Sequence, residues 1–249
     1  MSTTTGYLIL RGNEDKLFKK ALDSLLTDCP TYIIGNSLIG EYKQTPDLET
    51  PLVTGLYTIS GVPSLIPIPS RGSVSAAWVS GSILNTDEID KFTNITDSEY
   101  NSESYAPAKL LVKLNSTKHT PSEESNYTDL VKNRVFNNLR GKWAITLAYL
   151  SKRPLIVLMQ NMCDTYFHIV YDEHNLAIVW SNEEGITQSL DKEKVFVYHV
   201  TPLHDKHILI LHPLYLISKV KKWSMRFKTM GGRLMVIAAL ERYLSRNAQ

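Results

Sequence analysis

Short β-rich runs separated by turn residues fill the second half of this sequence and restrict the folds open to it. Residues 164–180 read DTYFHIVYDEHNLAIVW, two apolar runs around the turn residues Asp172 to Asn175. This pattern is typical of a β-hairpin. The stretch KVFVYHVTPLHDKHILILH predicts a second hairpin with Pro202 to Lys206 as its loop. Four consecutive antiparallel strands predict a meander with helices on one face.

The first half of the chain adds a strand at Tyr7–Leu10 and the clearest helical pattern. The segment NEDKLFKKALDSLLTDCP carries an apolar stripe at helical spacing, so one face is expected to pack on a sheet. Asn13 is the predicted N-cap and Pro30 ends the helix. In GVPSLIPIPSRG, three prolines permit an edge strand or an extended loop but not a central strand. Further strands are predicted at Thr31–Ile34, Leu52–Ser60 and Ser73–Val79.

The composition changes at residues 86–107, which hold six acids, one lysine and many Asn, Ser and Thr. Such a segment predicts a polar acidic linker or mobile loop. It would separate an N-terminal α+β subdomain, residues 1–85, from a C-terminal α+β subdomain with a basic helical tail, residues 108–249.

The C-terminal part also predicts a mixture of helices and strands. A strand is expected at Lys109–Leu114, helices at Tyr127–Leu139 and Lys142–Leu150, and a buried strand in RPLIVLMQ. With 43% hydrophobic and 21% charged residues, the chain is ordinary for a globular protein. The predicted fold class is α+β, with a mostly antiparallel β-sheet packed against several amphipathic helices.

Four of the seven histidines cluster between β-rich runs and raise the question of a metal site: His199, His204, His207 and His212. Zinc needs ligands that converge on one point. On the predicted hairpin, His204 and His207 lie at the loop, whereas His199 and His212 lie further along opposite strands. Because side chains alternate along a strand, His207 and His212 also lie on opposite faces. No metal site and no cofactor are therefore expected.

The tripeptide His199-Val200-Thr201 matches one of the two His-x-Thr/Ser elements of the 2H phosphoesterases. In that family two such elements face each other and cleave phosphodiesters by acid–base chemistry. A second copy is missing here, since His119 and His168 lack the following hydroxyl at the required position. Glycine-rich phosphate loops and nucleophile elbows are also missing from the sequence.

Two cysteines, Cys29 and Cys163, are too few for a disulfide framework. The polar start of the chain does not resemble a signal peptide, and no apolar run reaches the ~18 residues that span a bilayer. These features predict a cytoplasmic or nuclear protein that could associate peripherally with a membrane.

The last 31 residues carry eight Lys and Arg against one acid, Glu241, a net charge of +7. Since the whole chain has +2, the other residues sum to −5. The segment from Pro213 to Met230 predicts an amphipathic helix that ends at Gly231-Gly232, with a second helix after it. A basic face with interspersed aromatics suits an anionic membrane or a nucleic-acid groove, and a core-packed helix with a solvated face is the alternative. The candidate residues for binding an anionic partner are Lys219, Lys221, Lys222, Arg226, Lys228 and Arg233.

The C-terminal half resembles the matrix proteins of negative-strand RNA viruses, particularly those of rhabdoviruses. The resemblance lies in the order of four features: the strand KLLVKL, the helix opening NYTDLVKN, Trp143 and the strand KRPLIVLM. It implies membrane-face binding and self-association. A PPxY or P(T/S)AP motif in a basic N-terminal arm is missing, and the basic residues here lie at the other end.

These observations together favour a non-enzymatic assembly or interaction protein. Its basic C-terminal surface would bind an anionic membrane face or a nucleoprotein, in the manner of a viral matrix protein. The alternative is a phosphodiester-processing enzyme that uses His199 and Thr201.

Overall fold

The computed structural model describes residues 4–12, 15–26, 31–34, 57–60, 63–68, 73–95, 100, 102–116, 124–150, 155–190, 195–200, 206–226 and 232–248. The strands in them are β1 Thr5–Arg11, β2 Thr31–Ile34, β3 Tyr57–Ser60, β4 Ser64–Ile68, β5 Ser73–Ile83, β6 Gly141–Leu150, β7 Leu155–Asn161, β8 Tyr166–Tyr171, β9 Leu176–Ser181, β10 Phe196–Val200 and β11 Ile208–Leu211. The helices are α1 Lys16–Asp23, α2 Thr86–Thr93, α3 Ala106–Ser116, α4 Glu124–Arg134, α5 Pro213–Arg226 and α6 Gly232–Asn247.

The strands form two antiparallel sheets. Sheet A has the order β10-β8-β9-β1-β3-β2, and sheet B has the order β11-β7-β6-β5-β4. With helices packed against these sheets, the predicted α+β class with mostly antiparallel sheet is confirmed. The two sheets lie face to face and bury a common core that includes Leu8, Trp78, Leu158 and Ile178.

Each sheet is also covered on its outer face. In sheet A, Tyr7 and Ile9 of β1 pack against Phe18 and Leu22 of α1. In sheet B, alternate residues of β5, β6 and β7 pack against α3 and α4. The order of layers is therefore helix, sheet, sheet, helix, and the central strands are buried on both faces.

Helix α1 begins later than the sequence predicted. Asp15, not Asn13, is its N-cap: the carboxylate oxygen Oδ1 accepts hydrogen bonds from the backbone N–H groups of Leu17 and Phe18, at 2.9 and 3.0 Å. These bonds hold the pKa of Asp15 below its ordinary value, with a further contribution from Asn175. An aspartate that accepts N–H groups of the first turn is a strong cap.

Two elements of the sheet B half of the molecule were predicted in the wrong class. Lys109–Leu114 belongs to helix α3, and Lys142–Leu150 belongs to strand β6. Both faces of β6 are buried, so its apolar residues follow one another continuously. They do not alternate with polar residues as in a strand with one exposed face. Buried strands and buried helices cannot be separated by periodicity alone.

The predicted polar linker contains ordered structure where it is described. Helix α2 occupies Thr86–Thr93, buries Ile89 and Thr93, and ends at Asn94 in the left-handed conformation. Sheet A pairs β1 with β9, and sheet B pairs β5 with β6. Each sheet therefore takes strands from both sides of residues 86–107.

The second predicted hairpin is wrong. Strand β10 pairs with β8 at one edge of sheet A, whereas β11 pairs with β7 at one edge of sheet B. The first hairpin, β8–β9, is confirmed, with Tyr166 opposite Ser181 and Tyr171 opposite Leu176. The meander is therefore split between the two sheets, and this split decides where His199 lies.

The basic tail forms two helices, as predicted. Leu216 and Val220 of α5 are buried and Trp223 packs on the same core, while Leu240 and Leu244 of α6 are buried. Phe227 and Met230, further along the tail, lie outside the described residues. Across the described part of the chain, no helix combines the length and the apolar character that a membrane span requires.

Candidate functional site

Two histidines meet at the edge of sheet A. His168 lies in β8 and His199 lies directly opposite it in β10. Their Nδ1 atoms are 2.9 Å apart, and the rings meet edge to face with centroids 4.9 Å apart. Because facing residues of antiparallel strands project to the same side, the strand pairing itself brings the two imidazoles together.

His168 is buried, with 3% of its surface exposed, whereas His199 is exposed. Burial, together with the nearby charge of His199 when it is protonated, lowers the pKa of His168 to about 4. The imidazole of His168 is therefore neutral at neutral pH. Its Nε2 atom is buried and has no hydrogen-bond partner among the described residues.

Both histidines line a cavity of about 840 Å³. Its walls come from β8, β10 and the segment around the 3-10 turn Ile186–Ser189, which follows Gly185. The volume lies in the range of pockets that hold small molecules. The other polar or aromatic side chains that line it are Tyr166, Glu184, Thr187, Gln188, Phe167 and Phe196.

The electrostatic character of the cavity comes from few groups. Burial raises the pKa of Tyr166, and the negative charges of Asp164 and Glu184 raise it further. The Tyr166 phenol is therefore neutral at neutral pH, and Glu184 is the acidic side chain among the described lining residues. Phe196 adds an exposed aromatic surface and stacks on Tyr171, with ring centroids 5.5 Å apart.

A second polar cluster joins the start of β1 to the end of β9 and to sheet B. The hydroxyls of Thr5 and Ser181 are 2.9 Å apart, and both are buried. The side chain of Asn182 accepts from the backbone N–H of Thr4 at 2.8 Å and donates to Ser80 at 2.7 Å. These groups bond one another, so the cluster holds strand ends and sheets together.

The basic residues predicted to bind an anionic partner are spread over the two tail helices. Lys219, Lys222 and Arg226 follow one another at helical spacing on α5, and the Lys219 ammonium lies 5.0 Å from the Tyr215 ring centroid. Lys221 borders a separate groove with Arg11. Arg233 of α6 pairs with Glu173 at 3.4 Å, and Lys228 lies outside the described residues. Their binding of an anionic partner stays a prediction.

Other histidines of the sequence do not join the pair. His207 and His212 flank β11 in sheet B, and His204 and Thr201 lie outside the described residues. No three His, Cys, Asp or Glu side chains are grouped to hold a metal ion where side chains are described. Sequence reasoning missed His168, although a histidine within the buried run YFHIVY was a visible signal.

No protein-family model matches the sequence, and no curated protein matches it. Solved structures do. One is described as the allosteric regulatory enzyme of purine biosynthesis, with a TM-score of 0.54 and 14% identity over 85% of this chain and 47% of that chain. Another is glutamine phosphoribosylpyrophosphate amidotransferase from B. subtilis, with a TM-score of 0.53, 14% identity and the same coverage.

This chain has their fold. The likeness concerns the fold alone, because the identity is low, and the chain spans about half the length of these solved chains. It overturns the prediction of a viral matrix-type assembly protein. The structure explains the error, since the matrix resemblance needed KLLVKL to be a strand and that segment is helical.

The alternative, a phosphodiester-processing enzyme, is not supported either. It depended on His199 and Thr201 facing a second His-x-Thr/Ser element across a cleft. His199 instead faces His168, which is followed by Ile169 and Val170.

Proposed function

We propose that this chain is a small-molecule-binding domain of amidotransferase type, and that a glutamine-like carboxamide occupies the cavity beside His168. The observation that carries the proposal is the position of His168 in the wall of an 840 Å³ cavity, with its Nε2 atom buried and without a partner among the described residues. A buried polar atom without a partner costs free energy, so a ligand that bonds to it gains affinity.

A carboxamide suits this site on chemical grounds. It is neutral, and it offers both a carbonyl acceptor and N–H donors, so it can bond to a neutral imidazole in either tautomer. Thr187 and Gln188 add hydrogen-bonding side chains to the wall, and Phe196 adds an apolar surface. The likeness to a glutamine-dependent amidotransferase supports the choice of glutamine as the first ligand to test.

The test is a titration with L-glutamine, followed by calorimetry and by the NMR signals of the histidine side chains. We expect saturable binding that shifts the His168 and His199 signals. Norvaline, which lacks the carboxamide, is expected to bind at least about tenfold more weakly, since one buried hydrogen bond contributes about 1 kcal/mol and the unpaired imidazole adds a penalty.

Two variants localise the binding. His168→Phe keeps an aromatic ring but removes both ring nitrogens, and it is expected to abolish the titration. His174→Phe is the matched control, because His174 is exposed on the β8–β9 turn and is not part of this cavity. The proposal is wrong if glutamine does not bind at millimolar concentrations, or if the two variants bind it equally well.

A further inference from the structure

We propose that a groove between strand β1 and helix α5 binds a small organic carboxylate that carries an apolar chain. This β1–α5 groove has a volume of about 390 Å³ and is lined by Leu10, Arg11, Ile217, Val220, Lys221, Ser224 and Met225. It shares no lining residue with the cavity beside His168. The site therefore goes beyond the proposed function and does not depend on it.

An irregularity in β1 places Arg11 at this groove. Ile9 lies opposite Ala177 in the neighbouring strand β9. The next residue of β9 toward the turn, Leu176, lies opposite Arg11, so Leu10 is an extra residue of β1. Neighbouring side chains of a regular strand project to opposite faces. Here Leu10 and Arg11 both line the groove, because a bulge changes the direction of the side chains beside it.

The two cationic side chains at the β1–α5 groove form no ion pair with another described residue. Arg11 and Lys221 are both exposed, so their long side chains can turn toward a ligand in the groove. Helix α5, which supplies Lys221, contains no Asp or Glu over its length Pro213–Arg226. The groove therefore offers two positive charges to an external anion.

Two acids close to Arg11 are bonded to other groups. Asp172 and Glu173 line a small cavity of about 60 Å³ together with Arg11. The carboxylate of Asp172 accepts hydrogen bonds from the backbone N–H of Asn175 at 2.8 Å and from its side chain at 2.7 Å. Glu173 pairs with Arg233 at 3.4 Å. Neither acid forms an ion pair with Arg11, so the guanidinium is available to a ligand.

The polar side chains of the groove match a carboxylate. The planar guanidinium of Arg11 can donate to both oxygens of a carboxylate, and the Lys221 ammonium adds a second charge-assisted hydrogen bond. Ser224 lies three residues after Lys221, on the same side of α5, and adds a hydroxyl. The volume of the groove is that of a small-molecule site.

The other lining side chains require an apolar part in the ligand. Leu10, Ile217, Val220 and Met225 are apolar, and Met225 is 55% exposed. An apolar chain that covers Met225 removes this surface from water, which stabilises the complex. An inorganic anion would bond the cations without covering this surface. The occupant is therefore expected to combine both parts.

The first experiment titrates the protein with octanoate, followed by calorimetry and by ¹⁵N amide spectra. We expect saturable binding at millimolar concentrations or below, with the largest shifts in β1 and α5. The alcohol 1-octanol has the chain without the charge, and acetate has the charge without the chain. Each is expected to bind at least about tenfold more weakly. Absence of octanoate binding, or equal binding of 1-octanol or acetate, would overturn the proposal.

The second experiment localises the carboxylate. Arg11→Gln and Lys221→Gln remove one charge each, and we expect each to weaken octanoate binding about fivefold. Lys222→Gln is the matched control, because Lys222 is exposed on the same helix and does not line the groove. Its affinity should equal that of wild type. An equal loss for Lys222→Gln and Lys221→Gln would show general attraction to the basic tail and would contradict a site in the groove.

The third experiment localises the apolar chain. Met225→Glu places a negative charge at the groove, and it is expected to weaken octanoate binding at least about tenfold through repulsion and lost apolar contact. Met235→Glu is the matched control, since Met235 is similarly exposed, at 53%, on α6 and does not line the groove. Equal affinities for the two variants would place the chain elsewhere and overturn the proposal.

Discussion

The Nζ atom of Lys109 lies 2.5 Å from Oδ1 of Asp90, and the Lys109 side chain is only 1% exposed. The pair joins α3 to α2. Without its partner, the buried ammonium of Lys109 would cost several kcal/mol. Without Lys109, the Asp90 carboxylate would still be partly solvated, because 25% of its side-chain surface is exposed. The two partners are therefore expected to respond differently to substitution.

We predict that Asp90→Ala lowers the free energy of unfolding by about 3 kcal/mol, because it leaves the charge of Lys109 buried and unpaired. Lys109→Met is expected to cost clearly less, since an apolar side chain of similar length fills the same space. Urea denaturation measures both changes. The exposed pair of Arg140 and Glu88, at 3.2 Å, provides the control: Glu88→Gln should change stability little. Equal losses for Asp90→Ala and Lys109→Met would contradict this account.

Gly6 of β1 leaves the space that the indole of Trp180 fills between the sheets. A Cβ atom at position 6 would lie 2.4 Å from Cζ2 of Trp180, whose ring is 1% exposed and donates to Thr146. We predict that Gly6→Ala destabilises the protein by about 1–3 kcal/mol through overpacking. Denaturation followed by tryptophan fluorescence measures the loss.

Gly185 is the matched control for that substitution. A Cβ atom there would first meet the flexible Gln188 side chain at 3.4 Å, an ordinary contact. Gly185→Ala is therefore expected to fold with nearly unchanged stability. A Gly6→Ala protein as stable as Gly185→Ala would show that the indole can move aside.

The pKa of His168, about 4, also predicts how stability depends on pH. In the unfolded chain an ordinary histidine binds its proton near pH 6.5, whereas folded His168 does not until about pH 4. Between these values unfolding takes up a proton, so stability falls as the pH falls. The full shift corresponds to roughly 3 kcal/mol.

The free energy of unfolding is measured at pH 7 and at pH 4.5 for wild type, His168→Phe and His174→Phe. The loss for each protein is taken relative to its own value at pH 7. His168→Phe is expected to lose clearly less than wild type, whatever its starting stability. His174→Phe should lose as much as wild type, because His174 is exposed on the β8–β9 turn. The same loss in all three proteins would remove His168 as the cause.

Features encoded by neighbouring residues were predictable from the sequence. The β8–β9 hairpin was found because its turn is built locally: Asp172 Oδ1 accepts from the backbone N–H groups of His174 and Asn175, at 2.7 and 2.8 Å. The prolines around β4 permitted an edge strand or an extended loop and excluded a central strand, and β4, which contains Pro67, is an edge of sheet B. The helices of the tail were predictable from their apolar spacing and from Pro213.

Features that depend on distant pairing were not predictable. The contact of His168 with His199 requires β10 to leave the path of β11 and pair with β8, and no local pattern encodes that choice. Strand β6 was mistaken for a helix because helices cover one of its faces and sheet A the other. The charge of the tail was visible, but it did not reveal that Lys221 borders a groove with Arg11 while Arg233 pairs with Glu173.

Strand β10 has a neighbour on one side only within the described part of sheet A. Strands with a single neighbour exchange their amide hydrogens through small openings that cost less than global unfolding. The imidazole pair therefore connects a buried ring to an edge strand, which opens more easily than the central strands of the sheet. A ligand that requires both rings would slow amide exchange along β10 before it changed the exchange of central strands such as β1. The site would then be detectable from the rates of amide exchange as well as from its affinity for the ligand.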